Sequence, residues 1–187
     1  MLARQASFRR AADAVAAALA RAPEVRAIRL FGSVSRPLER EIPRFQPFRH
    51  HRVEILHECH DIDLALWIDR FDDLVTLKRL RSQAVADLFT NTGIGVAQHQ
   101  VEIFLFGDGW HDYRGRLCTY GQCPKGKRDC LAPECGRELF LQQHEGFVLA
   151  SSAFATAIPL YERGRSSWLA VPGEDLAVTR SPPDELE

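Results

Sequence analysis

Two aspartates one residue apart, Asp61-Ile62-Asp63, are the residues of this sequence best suited to hold a hard cation. Along an extended strand successive side chains point to opposite faces. Asp61 and Asp63 then share one face, while Ile62, Leu64 and Leu66 take the other, toward a core. Mg²⁺ prefers oxygen ligands and is usually held by one or two protein carboxylates together with substrate phosphates, and Mn²⁺ accepts the same donors. Upstream, Gly32-Ser33 closes an apolar run and offers what a phosphate needs: backbone that can come close, an N–H and a hydroxyl. Arg36 reads either as a further phosphate contact or as a solvated surface arginine. A second constellation is Cys118, Cys123, Cys130 and Cys135, a C-x4-C-x6-C-x4-C pattern within 18 residues that also hold Gly121, Pro124, Gly126 and Pro133. Four thiolates suit a tetrahedral Zn²⁺ that closes a loop too short to own a core. They leave no open position for water, so such a site is structural. Two disulfides are the main alternative, with an iron–sulfur cluster or free thiols as further ones.

The elements that must position these residues follow from periodicity. Phe8, Ala12, Val15 and Leu19 recur at helical spacing ahead of Pro23 and predict a helix over residues 4–21 that covers one face of a sheet. Val25–Phe31 predicts a strand that delivers Gly32-Ser33, with a short helix expected after it. The run through Ile68 predicts a second strand, which carries the two aspartates. Asp72 is the expected cap of a helix running to about Phe89, with Leu74, Leu77, Ala84, Val85 and Leu88 as its apolar stripe. Val101–Phe106 predicts a third strand in which Glu102 is the one acid. Residues 138–150 predict a strand or helix returning to the core, and residues 154–160 are a further apolar run. The expected fold class is α/β (α+β).

This order of parts, an apolar strand, Gly-Ser, an Asp-x-Asp strand and a later strand bearing an acid, resembles the nucleotidyltransferase superfamily typified by DNA polymerase beta and the minimal nucleotidyltransferases. The resemblance covers roughly residues 5–106. It implies a small mixed sheet with helices packed on it, and Mg²⁺-dependent transfer of a nucleoside monophosphate from a nucleoside triphosphate to a hydroxyl acceptor, with release of pyrophosphate. In that reading Asp61 and Asp63 hold the metal against the triphosphate, and Gly32 and Ser33 hold its β/γ end. Glu102 takes the place of the family's third carboxylate, usually Asp, to bind a second ion or accept the acceptor's proton.

One departure from the family pattern is the length of residues 37–60, which connect Gly-Ser to Asp-x-Asp and contain Pro37, Pro43, Pro47, Phe45, Phe48, His50, His51, His57 and His60. A loop or hairpin over the site, with a strand near residues 53–56, is the expectation. Within it His57, Cys59 and His60 read either as metal ligands or as the exposed side of a strand that continues into Asp61.

The nucleotide and the acceptor are not legible. A small molecule or protein is preferred as acceptor over nucleic acid, because nothing resembles the domains with which polymerases grip a template. Two other classes remain open. One is a catalytically degenerate nucleotide-binding or antitoxin-like regulator. The other is a zinc-stabilised nucleic-acid-binding module, in which Arg114, Arg116, Lys125, Lys127, Arg128 and Arg137 form a positive patch against only Asp129 and Glu134. The same basic residues also read as plain solvated charge.

With 187 residues, 45% of them apolar and 26% charged, and a net charge of −1, the composition is that of an ordinary globular protein. No window approaches the roughly 18 consecutive apolar residues of a membrane span. The basic, Ala-rich N-terminus is read as a helix rather than a targeting peptide, because Asp13 interrupts it and the first strand follows at once. Five cysteines without an export signal point to a reducing cytoplasm. The expected organisation is a core over residues 1–110 that includes the 37–60 insertion and a four-cysteine segment over 111–140. C-terminal elements over 141–175 then pack on the core, ahead of a disordered tail over 176–187.

Overall fold

The strands bury apolar side chains on both of their faces, and two helices close only one of those faces. The computed structural model describes residues 2–36, 59–123, 135, 137–143 and 147–164. The elements in order are α1 (Leu2–Leu19), β1 (Val25–Phe31), β2 (Ile62–Ile68), α2 (Leu74–Thr92), β3 (Val101–Phe106), β4 (Tyr113–Leu117), β5 (Leu141–Gln142) and β6 (Ile158–Glu162). They form a six-stranded sheet of order β5-β4-β3-β2-β1-β6. The pair β2/β3 is parallel and the other four pairs are antiparallel. The parallel pair is the one joined by a helix, as a parallel connection requires. A mixed α/β architecture of one mixed sheet and two helices is consistent with the expected α+β fold class.

Each face of the sheet has its own core. On the helix side Ile28, Leu30, Ile62, Leu64, Leu66, Val101, Ile103 and Leu105 pack with Phe8, Ala12, Val15 and Leu19 of α1 and Leu74, Leu77 and Val85 of α2. The opposite face holds Ala27, Phe31, Ala65, Trp67, Phe104, Phe106 and Phe154. There the Trp67 and Phe106 rings stack at 4.9 Å, and Phe31 meets Phe104 edge-on at 5.1 Å. Asp63 and Glu102 lie in strand with this aromatic set, since they alternate with Leu64 and Ile103.

Several boundaries differ from the sequence expectation. Asp73, not Asp72, caps α2, its carboxylate accepting the Thr76 N–H at 3.1 Å. The helix runs past Phe89 to Thr92 and ends on Gly93 in the left-handed conformation, whose N–H reaches the Phe89 carbonyl. Among the described residues, which here end at residue 36, no helix follows Gly32-Ser33. Residues 32–36 form a turn, in which side chains take the Gly32, Val34 and Arg36 carbonyls and the Arg36 N–H takes the Ser33 carbonyl. The sheet continues beyond residue 110 through β4. Residues 138–150 contribute only the two-residue β5, and the run at 154–160 divides between a 3-10 turn (Ser151–Phe154) and β6. Among the described residues no helix is long and apolar enough to cross a membrane.

Candidate functional site

Gly32 and Asp63 meet at the end of the β1/β2 pair. Phe31 is in register with Asp63, so the chain turns at the very residue that follows. Gly32 adopts φ +73°, and a Cβ there would lie 2.0 Å from an Asp63 carboxylate oxygen. Both facts demand glycine: the conformation is one that L side chains rarely adopt, and the space is already filled by the carboxylate. The Gly-Ser turn and the Asp-x-Asp strand are therefore in direct contact across a long stretch of intervening sequence.

Glu102 completes the group. On the parallel pair β2/β3, Asp63 is in register with Glu102, so the two acids stand side by side on the aromatic face. Burial, then the charges of Glu102 and Asp61, push the Asp63 carboxyl up to about 6, while Arg116 and Arg36 pull it back. Asp61, Glu102 and Arg36 thus each act electrostatically on Asp63. The acids are not a ready metal cage. Among the described residues no three His, Cys, Asp or Glu side chains are arranged to hold a metal ion. Glu102 has a partner of its own, the Arg116 guanidinium at 2.8 Å. That guanidinium lies over the rings of Phe104 at 4.6 Å and Phe147 at 5.4 Å. From sequence Arg116 reads either as part of a positive patch or as plain solvated charge; β4 turns it toward Glu102. Of the same basic set, Arg114 pairs with Asp112 at 2.7 Å, and Lys125, Lys127 and Arg128 lie outside the described residues.

The turn is held by side chains that the sequence reading did not single out. Gln5 Nε2 donates to the Val34 carbonyl at 3.1 Å and to the Arg36 carbonyl at 2.7 Å, and Arg9 Nε donates to the Val34 carbonyl at 3.1 Å. Ser35 Oγ donates to the Gly32 carbonyl at 3.0 Å and lies 3.0 Å from Thr156 Oγ1. A polar Gln5 on the buried stripe of α1 was the one sequence signal of this role. Cys59 was expected on an exposed strand side or as a metal ligand. It is buried, 3% exposed, ahead of the start of β2, and hydrogen-bonded to Ser33. Burial raises its thiol pKa, and the Ser33 bond opposes that shift. His60 is exposed, and His57 with the rest of the insertion up to residue 58 lies outside the described residues.

The other constellation gathers around β5. Cys118 N–H donates to the Phe140 carbonyl at 2.8 Å, the Phe140 N–H points to Cys123 Sγ at 3.4 Å, and Cys135 bridges to Gln142. Cys118 and Cys123 are free thiols. Cys130 lies outside the described residues. The three described thiols do not form a metal-holding group.

Compared with models of known protein families, with curated proteins and with solved structures, the chain matches none.

Proposed function

We propose that the chain is a Mg²⁺-dependent nucleotidyltransferase that moves a nucleoside monophosphate from a nucleoside triphosphate to a hydroxyl acceptor, a small molecule or a protein, with pyrophosphate as the second product. The observation that carries this reading is the contact of Gly32 with Asp63 beside an in-register Glu102. A phosphate-compatible turn and two strand-borne acids are thereby brought to one end of a sheet. Asp61 and Asp63 are the oxygen donors for Mg²⁺, which when bound neutralises triphosphate charge. The raised pKa of Asp63 is what an acidic site short of positive charge displays. Gly32 and Ser33 face the β/γ-phosphates, and Arg36 adds positive charge on the same side. The acceptor oxygen attacks the α-phosphorus in line, the bond to the bridging oxygen of the β-phosphate breaks, and the acceptor's proton passes to Glu102. The chain's contribution is positioning and charge placement. Cys118, Cys123, Cys130 and Cys135 are read as a structural Zn²⁺ site remote from this chemistry.

Transfer is tested with a nucleoside triphosphate labelled at the α- or the γ-phosphate and incubated with the protein and a cell extract. The expected result is Mg²⁺-dependent labelling of an acceptor from the α-label alone, lost in Asp61→Ala and in Asp63→Ala. Labelling from the γ-phosphate would replace this reading with a kinase reaction. The Glu102–Arg116 ion pair favours one alternative, a nucleotide-binding regulator without turnover, in which the third carboxylate is committed to structure. Nucleotide binding without any transfer would select it.

A further inference from the structure

Gln5 is a polar residue on the buried stripe of α1, and its amide is committed to the turn that follows β1. Nε2 donates to the Val34 carbonyl at 3.1 Å and to the Arg36 carbonyl at 2.7 Å. Both neighbours are acceptors, so the amide nitrogen must face them. Ser35 Oγ donates to the Gly32 carbonyl at 3.0 Å, and the Arg36 N–H to the Ser33 carbonyl at 3.3 Å. The carbonyls of Gly32, Ser33, Val34 and Arg36 are thereby occupied. The donors of the same turn are not. Among the described residues the N–H groups of Ser33, Val34 and Ser35 have no acceptor, although Val34 is 0% and Ser35 6% exposed. Backbone N–H groups in buried chain are ordinarily paired. The Ser33 side chain is itself bonded to Cys59, so the backbone is what this turn has left to offer. Successive unpaired N–H groups beside a left-handed residue, here Gly32 at φ +73°, form a concavity suited to an anion.

We propose that Gln5 is a positioning residue for phosphate: by tying the Val34 and Arg36 carbonyls to α1, it holds the turn with the N–H groups of Ser33, Val34 and Ser35 open to phosphate oxygens. This rests on the triphosphate site proposed above and deepens it in two ways. It makes α1 part of substrate binding, and it assigns the phosphate contact to backbone donors rather than to the Ser33 hydroxyl. A turn whose peptide units can rotate presents carbonyl oxygens to an anion as readily as N–H groups, and those oxygens repel it. Anchoring the carbonyls on α1 removes that alternative before the ligand arrives, which is the gain of a preorganised site. Arg9 Nε shares the Val34 carbonyl at 3.1 Å and brings positive charge to the same peptide.

The test uses the full chain and pyrophosphate with Mg²⁺, a probe that carries the phosphates without base or acceptor. Affinity is measured by calorimetry for the wild type, for Gln5→Met, which keeps the length of the side chain and loses the donor, and for Asp73→Ala, which weakens the fold through the α2 cap. The expected result is binding to the wild type and about 10- to 100-fold weaker binding to Gln5→Met, the scale of a site displaced from its working geometry. Asp73→Ala should bind as the wild type does, whatever its melting temperature. In amide NMR spectra the Ser33, Val34 and Ser35 signals should move on binding in the wild type and stay in place in Gln5→Met at the same ligand concentration. If Gln5→Met does not fold, Gln5→Asn, whose amide falls one methylene short of the turn, carries the same expectation. Equal affinity in wild type and Gln5 variant, equal weakening in Asp73→Ala, or wild-type amide signals that do not respond would overturn the role of Gln5 and leave the triphosphate site standing. So would a wild type that binds magnesium triphosphates but not pyrophosphate. A wild type that binds neither overturns both.

Discussion

Asp63 is placed where burial and two neighbouring acids oppose its charge, and the consequence is a stability that depends on pH. Its carboxyl is raised in the folded protein to about 6 from 3.8. Between those values the folded chain holds a proton that the unfolded chain has released, so raising the pH through this window destabilises the fold. The two-unit shift corresponds to as much as about 3 kcal/mol. Asp63→Asn removes that penalty. In denaturant titrations without divalent metal it should be more stable than wild type by up to about 3 kcal/mol at pH 7.5, and the difference should vanish near pH 4. A constant difference across that range would show that Asp63 ionises normally. Gly32 shares the site and has no freedom to change. Gly32→Ala must meet both the left-handed backbone and the Asp63 oxygen, and should cost about 1–3 kcal/mol in the same titration. Of these residues, Gly32, Asp61 and Asp63 were legible because glycine before serine and acids at alternate positions are local patterns. Arg116 was not, because its side of β4 depends on a register that only the folded sheet sets.

At the scale of elements, the helices are the part most completely specified by local pattern. The stripe Leu74, Leu77, Ala84, Val85 marks the buried face of α2, and the gap in it at position 81 was the visible trace of a buried arginine. The cap was misplaced by one residue because two aspartates stand in succession; only Asp73 has the backbone that lets its carboxylate reach the Thr76 N–H. Asp73→Ala should therefore cost about 1 kcal/mol, and Asp72→Ala much less. Thermal unfolding of the two variants distinguishes them. Nothing local shows that Gln5 and Arg9, on a distant element, occupy carbonyls of the turn after Gly32. The strand β4 was not anticipated, because its pairing with β3 is set by the sheet; β5 falls within residues 138–150, where a strand or helix was expected, but two residues carry no period that would decide between them.

Across the whole molecule, one sheet serves two purposes. Its helix-side face is an aliphatic core, and its other face is aromatic at one end and acidic at the other. Strand alternation predicted the division of Asp63 from Leu64. It did not predict that Phe104, Phe106, Trp67 and Phe154 would build a second core, since that core needs the late segment around Phe154 to fold back over the sheet. Loss of a central ring from it, Phe106→Ala, should cost about 3–5 kcal/mol in denaturant unfolding. A loss below 1 kcal/mol would mean that this face contributes little to stability.

The central claim is that Gly32, Asp61 and Asp63 form a metal-dependent triphosphate site. The most direct measurement is a thermal-shift titration of each nucleoside triphosphate, with and without Mg²⁺, on wild type and Asp63→Ala. A ligand at 100 times its dissociation constant adds about 2.7 kcal/mol to the folded state. The account predicts that one or more triphosphates stabilise the wild type only with Mg²⁺ present, and that the increment disappears in Asp63→Ala. No stabilisation by any triphosphate, or one that survives the loss of Asp63, would contradict it.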